Sequence, residues 1–259
     1  MIKLNQVSKS YDNSKSFAVT DICLNVAESE LVAILGESGC GKTTTLKMIN
    51  RLIEPTGGAV SVNGTNIMSM DPVTLRREIG YVFQGIGLFP HMTVAENIAI
   101  VPCLLGWGKI KTQDRVRELL ELVGLSPDEY SNRRPAKLSG GQQQRVGVAR
   151  ALAAGSKIML MDEPFGALDP ITRSELQQEF NKLRQELKLT TVLVTHDIME
   201  ALLLADRIAV MKEGKIVAIG TPHQMMTQGK TDYVRKLMQT PRRQIEKLDD
   251  LIIPDGSNC

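Results

Sequence analysis

The chain has 259 residues, of which 42% are hydrophobic and 23% are charged, and these proportions are typical of a globular protein with one large or two small domains. Its formal net charge of +2 provides no electrostatic argument for binding a nucleic acid or an anionic membrane surface. Aromatic residues make up only 4% of the chain, which disfavours stacking platforms for single-stranded nucleic acid.

The first residues carry charged and amide side chains and show no signal-peptide pattern. No apolar run approaches the roughly 20 residues that a membrane-spanning helix needs. The four cysteines, Cys23, Cys40, Cys103 and Cys259, do not have the spacing of a metal site or of a disulfide framework. These features together predict a cytoplasmic protein with free thiols.

Two strands are predicted near the N-terminus, at residues 2–7 and 17–26, and the polar turn between them contains Tyr11. An apolar run at residues 31–35 predicts a third strand. It leads into segment 36–43, which reads G-x-x-x-x-G-K-T and is followed by residues that can open a helix. A strand, a glycine-rich loop and a helix form the context that a phosphate-binding loop requires.

The chemistry of this loop suits the polyphosphate of a nucleotide. Its glycines allow successive backbone N–H groups to point into one concavity at the positive end of a helix dipole. Lys42 is expected to reach the β- and γ-phosphates of ATP, and the Thr43 hydroxyl is expected to bind Mg²⁺. The predicted nucleotide-binding residues of the loop are Gly36, Glu37, Ser38, Gly39, Cys40, Gly41, Lys42, Thr43 and Thr44.

Turn and strand signals continue beyond the loop. The pair Asn63-Gly64 predicts a tight hairpin, and a short apolar strand then ends at Gln84. The region 93–155 has a mostly helical pattern. A further helix is predicted at residues 171–188, between two buried strands.

Those two buried strands end in polar residues. Residues 158–161 are followed by Asp162 and Glu163, and residues 190–195 are followed by His196. Because the carboxyl ends of parallel strands meet at one edge of a sheet, these side chains and Gln84 are expected to converge on the phosphate-binding loop. An acid held rigidly after a buried strand can orient Mg²⁺, and Asp162 is the candidate.

The segment Leu138-Ser139-Gly140-Gly141-Gln142 reads LSGGQ, the signature of ATP-binding-cassette (ABC) ATPases, and the chain resembles that family over residues 1–235. The resemblance implies an α/β fold, the P-loop NTPase cassette, with a mostly parallel core sheet and an N-terminal antiparallel β subdomain. A helical subdomain at about 90–155 would be inserted in a RecA-like core. The implied ATPase domain covers residues 1–240, and residues 241–259 form a short tail.

The resemblance also implies roles for single residues. Glu163 resembles the general base, Gln84 the glutamine that touches Mg²⁺ and the attacking water, and His196 the histidine that contacts the γ-phosphate. Tyr11 resembles the aromatic residue that stacks on adenine, although a tyrosine in a surface turn is the alternative. The implied catalytic residues are therefore Glu163, His196 and Gln84, and the implied Mg²⁺ ligands are Thr43, Gln84 and Asp162.

In this family two cassettes pack head to tail, and each ATP lies between the phosphate-binding loop of one and the LSGGQ segment of the other. The Ser139 hydroxyl and the amides of Gly140 and Gly141, at a helix N-terminus, would form the second half of the cradle, with Gln142 beside them. One chain carries only one of each half. The implied partner is a second copy of this chain in a two-fold dimer, with ATP and Mg²⁺ as cofactors.

Within the family, residues 86–93 and 163–173 look most like importers of quaternary-ammonium osmoprotectants such as glycine betaine, choline and carnitine. This resemblance implies an ATP hydrolase at the cytoplasmic face of the membrane, bound to permease subunits and served by an extracytoplasmic solute-binding protein. Many such importers carry a regulatory domain pair after the cassette. The sequence stops at Cys259, so regulation of that kind cannot be carried over from the resemblance.

Three other functions compete with this interpretation. One is an ABC importer ATPase for another small solute. A second is a soluble ABC ATPase acting on nucleic acid or ribosomes. Members of that class that act on chromosomes have a long coiled coil between the phosphate-binding loop and the signature. Only 95 positions (138 − 43) separate Thr43 from Leu138 here, which leaves no room for such a coiled coil. A third is a P-loop kinase outside the family, which LSGGQ and His196 disfavour.

Cys40 lies inside the phosphate-binding loop, two residues before Lys42. A neighbouring lysine and a helix N-terminus both favour a thiolate. The sequence therefore predicts a lowered pKa for this thiol, even if the residue serves only to fill a tight turn.

Overall fold

The computed structural model of the chain describes residues 1–12, 16–85, 87–229 and 231–252. Within these residues the strands are β1 (Ile2–Ser10), β2 (Phe17–Val26), β3 (Leu31–Leu35), β4 (Gly57–Val62), β5 (Thr65–Asn66), β6 (Ile79–Val82), β7 (Ile158–Asp162), β8 (Thr190–Thr195), β9 (Arg207–Lys212) and β10 (Lys215–Gly220). The helices are α1 (Lys42–Ile49), α2 (Pro72–Glu78), α3 (Val94–Leu104), α4 (Lys109–Leu122), α5 (Pro127–Tyr130), α6 (Gly140–Leu152), α7 (Pro170–Glu186), α8 (Ile198–Leu204), α9 (Pro222–Thr227) and α10 (Asp232–Ile252).

One sheet is antiparallel and has the strand order β2-β1-β4-β5. Its apolar side chains, among them Ile2, Leu4 and Val60, are buried in one core cluster. The predicted hairpin joins β4 to β5: Asn63 and Gly64 both have positive φ, at 52° and 80°, as a two-residue type I′ turn requires. This sheet is the predicted N-terminal antiparallel subdomain.

The other sheet has the order β10-β9-β3-β8-β7-β6. Neighbouring strands from β9 to β6 run parallel, and only β10 at the edge is antiparallel. Every residue of β3, β7 and β8 is buried, which explains why these strands appear in the sequence as continuous apolar runs rather than alternating ones. The carboxyl ends of β3, β6, β7 and β8 therefore lie along one edge of the core sheet.

The helices α3 to α6 lie between β6 and β7 in the chain. The main contacts among them join α3 to α6 and α4, and their apolar faces meet through buried Ile98, Leu119 and Val146. Helix α3 begins with a full capping box, in which Thr93 and Glu96 each accept a hydrogen bond from the other's backbone N–H. The inserted helical region agrees with the pattern in the sequence, while the division of the chain into domains stays a prediction.

Two helices differ from the expectation. Helix α2 was not predicted; Asp71 caps it and Pro72 begins it. Helix α10 continues through Pro241, where the sequence suggested that a weakly packed tail begins. Val234, Met238 and Pro241 are all buried, so the proline extends an apolar stripe instead of ending the helix. Among the described residues, no helix has both the length and the apolar character needed to span a membrane.

Candidate active site

The phosphate-binding loop connects β3 to α1, as predicted. At two of its glycines an added Cβ would clash with neighbouring backbone. Gly41 has φ +101°, and a Cβ there would lie 2.6 Å from the carbonyl oxygen of Ala18. A Cβ on Gly36 would lie 2.4 Å from the carbonyl oxygen of Met211. The loop is therefore packed tightly against β2 and β9, and its backbone path depends on the absence of side chains at both positions.

Lys42 crosses the loop and is only 5% exposed. Its Nζ donates hydrogen bonds of 2.8 Å to the carbonyl oxygens of both Gly36 and Glu37. Among the described residues no carboxylate forms an ion pair with this ammonium. A buried cation that contacts only neutral carbonyls attracts an anion, and the loop is shaped to receive one.

Thr43 lies beside the end of β7. Its hydroxyl donates a 2.8 Å hydrogen bond to Oδ1 of Asp162, which is 4% exposed. The Tyr81 hydroxyl lies 3.4 Å from the other oxygen of Asp162, and burial, reinforced by this carboxylate, raises the pKa of Tyr81 far above its ordinary value. Tyr81 was not anticipated as a site residue, because nothing in the sequence distinguishes it from other aromatic residues in buried strands.

Glu163 is the point where the strand ends converge. Its Oε2 accepts a 3.1 Å hydrogen bond from Nε2 of Gln84 and lies 3.2 Å from Nδ1 of His196. The Glu163 backbone N–H donates to the carbonyl oxygen of Val194 at 2.9 Å, which extends the β7–β8 ladder by one bond. The three side chains therefore lie together at the strand ends. The strand-end residue that hydrogen-bonds to the phosphate-binding loop is Asp162, through Thr43.

Glu163 also has a left-handed backbone, with φ +46°. A residue other than glycine pays about 1–3 kcal/mol for that conformation, and such positions cluster at functional sites. The neighbouring His196 is exposed, with 59% of its side chain accessible. The arrangement therefore presents a rigid carboxylate and an accessible imidazole next to the phosphate-binding loop.

The LSGGQ segment contains the start of α6, whose first helical residue is Gly140. Ser139 is the N-cap: its hydroxyl accepts from the Gln142 N–H, and its own N–H donates to Oε1 of Gln142. Nε2 of Gln142 donates to the Tyr130 hydroxyl at 3.1 Å. The Gln142 side chain is thus turned back onto its own helix, and its predicted contact with ATP stays a prediction.

Gly141 explains why α6 lies so close to α7. A Cβ on Gly141 would lie 2.6 Å from Cγ2 of Thr172, in the first turn of α7. In the described part of the chain, no hydrogen bond joins the LSGGQ segment to the loop at 36–43 or to the strand-end residues. One chain brings together the loop, Asp162, Glu163, Gln84 and His196, but leaves the signature apart from them.

Tyr11 is 64% exposed, and the ammonium of Lys9 lies 5.2 Å from the centre of its ring. The stacking of Tyr11 on adenine stays a prediction.

The expectation for Cys40 was wrong. The thiol is buried, and burial raises its pKa, outweighing the attraction of Lys42 for the thiolate. The sequence places a lysine two residues away but does not show that the sulfur lies under the loop, where a Cβ on Gly36 would come within 2.7 Å of it.

The family is decided by comparison with known proteins. The profile of the ABC transporter family matches residues 19–166, more than half of the chain. The chain belongs to the ABC transporter family. The predicted α/β cassette fold is therefore confirmed, and a P-loop kinase outside the family is excluded.

The chain is similar to several curated transport proteins. It is 56% identical over 242 residues to the glycine betaine/carnitine/choline transport ATP-binding protein OpuCA of Bacillus subtilis, with 93% of this chain and 63% of OpuCA covered. It is 52% identical over 258 residues to the choline transport ATP-binding protein OpuBA of the same organism, with 97% and 67% covered. It is 50% identical to the glycine betaine uptake system ATP-binding protein YehX of Escherichia coli, with 91% and 76% covered. The chain thus spans between three fifths and two thirds of the length of the two Bacillus relatives.

Solved structures give the same fold. Two dimeric structures of the cassette MJ0796, described as a bacterial ABC transporter cassette, superpose with TM-scores of 0.76 and 0.77 at 37% and 38% identity. Each comparison covers 86% of this chain and 99% of MJ0796. The first of the two is a post-hydrolysis state bound to ADP and Pi.

Proposed function

We propose that this chain is the ATP-hydrolysing subunit of an ABC importer for quaternary-ammonium osmoprotectants of the glycine betaine, choline and carnitine type. The convergence of Gln84 and His196 on one oxygen of Glu163, beside the Thr43–Asp162 hydrogen bond, carries the proposal of ATP hydrolysis. The proposed cargo rests on the identity of 50–56% to the glycine betaine, choline and carnitine transport ATP-binding proteins. These residues lie at the carboxyl ends of parallel strands, where ligands bind in open α/β sheets.

The residues around Thr43 fit a Mg²⁺–nucleotide complex. A threonine hydroxyl, a buried carboxylate and an amide oxygen are the hard oxygen ligands that Mg²⁺ prefers, and Thr43, Asp162 and Gln84 supply them. Bound Mg²⁺ would neutralise negative charge on the phosphates, while the loop amides and Lys42 hold the phosphates in place.

The two acids of the site have different roles. Asp162 is buried and accepts a hydrogen bond from the Thr43 hydroxyl, so it is the acid proposed to bind Mg²⁺. Glu163 is held by Gln84 and His196 and takes the proton of the attacking water as general base. His196, exposed beside Glu163, would contact the γ-phosphate.

The functional unit is proposed to be a head-to-tail dimer of this chain. Among the described residues, the Ser139 hydroxyl caps α6 and makes no hydrogen bond to the phosphate-binding loop of its own chain. A second copy related by a two-fold axis would bring each signature to the other chain's loop. The dimeric structures of MJ0796 support this arrangement.

Membrane permease subunits are the second proposed partner. A surface groove of about 500 Å³ runs between the end of β6 and the inserted helices, lined by Tyr81, Phe83, Phe89, Ile100 and Val101 among others. Phe83 and Phe89 are exposed, which suits a site that a partner helix covers. Docking here would hold the chain at the cytoplasmic face of the membrane, and an extracytoplasmic solute-binding protein would deliver the cargo. No nucleic-acid partner is proposed.

The cargo is tested by reconstituting the chain in vesicles with its permease and binding subunits and measuring phosphate release. Glycine betaine, choline or carnitine should stimulate ATP hydrolysis above the rate without solute. Stimulation by an amino acid, a sugar or a polyamine, with none by the quaternary-ammonium solutes, would show an importer of another small solute. Hydrolysis stimulated only by nucleic acid or ribosomes would contradict the importer assignment.

A further inference from the structure

The C-terminal helix touches the phosphate-binding loop. Near the start of α10, the Tyr233 hydroxyl donates a 3.2 Å hydrogen bond to Oε1 of Glu37, the second residue of the loop. The ammonium of Lys212, at the end of β9, lies 5.0 Å from the centre of the Tyr233 ring. Neither Tyr233 nor Lys212 belongs to the motifs that define the site.

Both the side chain and the backbone carbonyl of Glu37 accept hydrogen bonds. Its side chain is bound by Tyr233, and its backbone carbonyl accepts the 2.8 Å hydrogen bond from Nζ of Lys42. Glu37, Ser38 and Gly39 form the exposed part of the loop. Tyr233 thus contacts, through a single residue, the lysine that is expected to bind the phosphates.

The position of Tyr233 is well defined. The next residue, Val234, and Met238 one turn later are fully buried against the core, and α10 packs on α8 and α9. Burial and the carboxylate of Glu37 raise the pKa of Tyr233 to about 12. The hydroxyl therefore keeps its proton at neutral pH and remains a donor to Glu37.

A carboxylate in this part of the loop is unfavourable for binding a polyphosphate, because like charges repel and the effect grows as water is excluded. We propose that Tyr233 is a positioning residue for nucleotide binding: its hydroxyl holds the Glu37 carboxylate against α10 and keeps that charge away from the phosphates. This inference rests on the proposed function, since it requires the loop to bind ATP. It also makes ATP affinity dependent on the position of α10.

The test is an equilibrium titration of the purified chain with a fluorescent ATP analogue, comparing wild type with Tyr233→Phe and with Gln239→Ala, an exposed position on the same helix. Tyr233→Phe keeps the ring and removes the donor to a charged group, so affinity should fall by about three- to tenfold. Gln239→Ala should bind as wild type. In a hydrolysis assay the loss should appear in KM for ATP rather than in kcat.

The double variant isolates the role of Glu37. With Glu37→Gln the charge is absent, so adding Tyr233→Phe should change affinity by less than about twofold. A Tyr233→Phe variant that binds like wild type, or one that loses as much affinity with Glu37→Gln as without it, would overturn the inference. Wild type that fails to bind the analogue would instead overturn the proposed function on which the inference rests.

Discussion

Nδ1 of His196 lies 3.2 Å from Oε2 of Glu163, although the two residues follow different strands of the core sheet. Gln84 donates to the same oxygen. Two groups therefore orient one oxygen of the carboxylate. In the proposed general-base role, Oε1, for which no hydrogen bond is seen among the described residues, would accept the proton from water. The predictions below test this assignment and the loop beside it.

Glu163→Gln should separate nucleotide binding from hydrolysis. Glutamine keeps the size of the side chain and most of its hydrogen bonding but cannot take a proton, and positioned proton transfer is worth ~10²–10⁴ in rate. Phosphate release should fall by at least two decades while the fluorescent ATP analogue still binds. On gel filtration with Mg-ATP the variant should accumulate as a dimer, since hydrolysis is the fast route out of the closed state.

Near-normal hydrolysis in Glu163→Gln would show that another group is the base. Absence of an ATP-dependent dimer would contradict the proposed two-fold assembly. Asp169→Asn is a matched carboxylate-to-amide control: Asp169 caps α7 and, in the described structure, makes no hydrogen bond to Gln84, Glu163 or His196.

Lys42→Ala should weaken ATP binding, the step before hydrolysis. The ammonium is buried across the loop, and its hydrogen bonds to a charged phosphate would contribute about 1.5–3 kcal/mol, so ATP affinity should fall by at least about tenfold. The same titration used for Glu163→Gln measures this loss. An unchanged dissociation constant for Lys42→Ala would mean that this lysine does not bind the phosphates.

Cys40 should be slow to react with thiol reagents at neutral pH. Because burial raises its pKa, less thiolate is present there than at an exposed cysteine, and the reactive fraction increases only as the solution becomes more alkaline. Mass spectrometry after limited iodoacetamide labelling should find Cys23 and Cys103, which are exposed, modified before Cys40. Preferential labelling of Cys40 at neutral pH would restore the original expectation of an activated thiol.

Gly141→Ala tests the close contact between α6 and α7. The new methyl group would overlap Cγ2 of Thr172, and overpacking of this kind costs about 1–3 kcal/mol, of which improved helix propensity offsets at most about 1 kcal/mol. Denaturant unfolding should show lower stability. Thr172→Ser removes Cγ2 but keeps the hydroxyl, so the double variant should recover most of the loss. No recovery would show that the overlap is not the cause.

Much of the site was predictable because it depends on short-range patterns. A glycine-rich loop after an apolar strand and polar residues after buried strands were enough to place Lys42, Thr43, Asp162, Glu163 and His196 at one edge of a parallel sheet. The rule that carboxyl ends of parallel strands meet at one edge supplied the long-range information.

The remaining features depend on packing between distant segments. Tyr233 and Glu37 are 196 positions apart (233 − 37), and no local pattern indicates their hydrogen bond. The shift in the pKa of Cys40 was predicted in the wrong direction, because burial of the thiol outweighs the positive charge of Lys42 that the sequence shows. Helix α10 passes Pro241 because tertiary burial of that residue outweighs the low helix propensity of proline.

Because Glu163 has a left-handed backbone, stability and activity favour different residues at this position. Glycine adopts this conformation without steric cost, so Glu163→Gly would relieve part of the 1–3 kcal/mol of strain expected for a non-glycine residue. A screen of variants for heat resistance alone would therefore favour loss of the carboxylate at this position. A screen that also requires ATP hydrolysis would keep Glu163 if it is the proposed base, and would have to raise stability elsewhere in the chain.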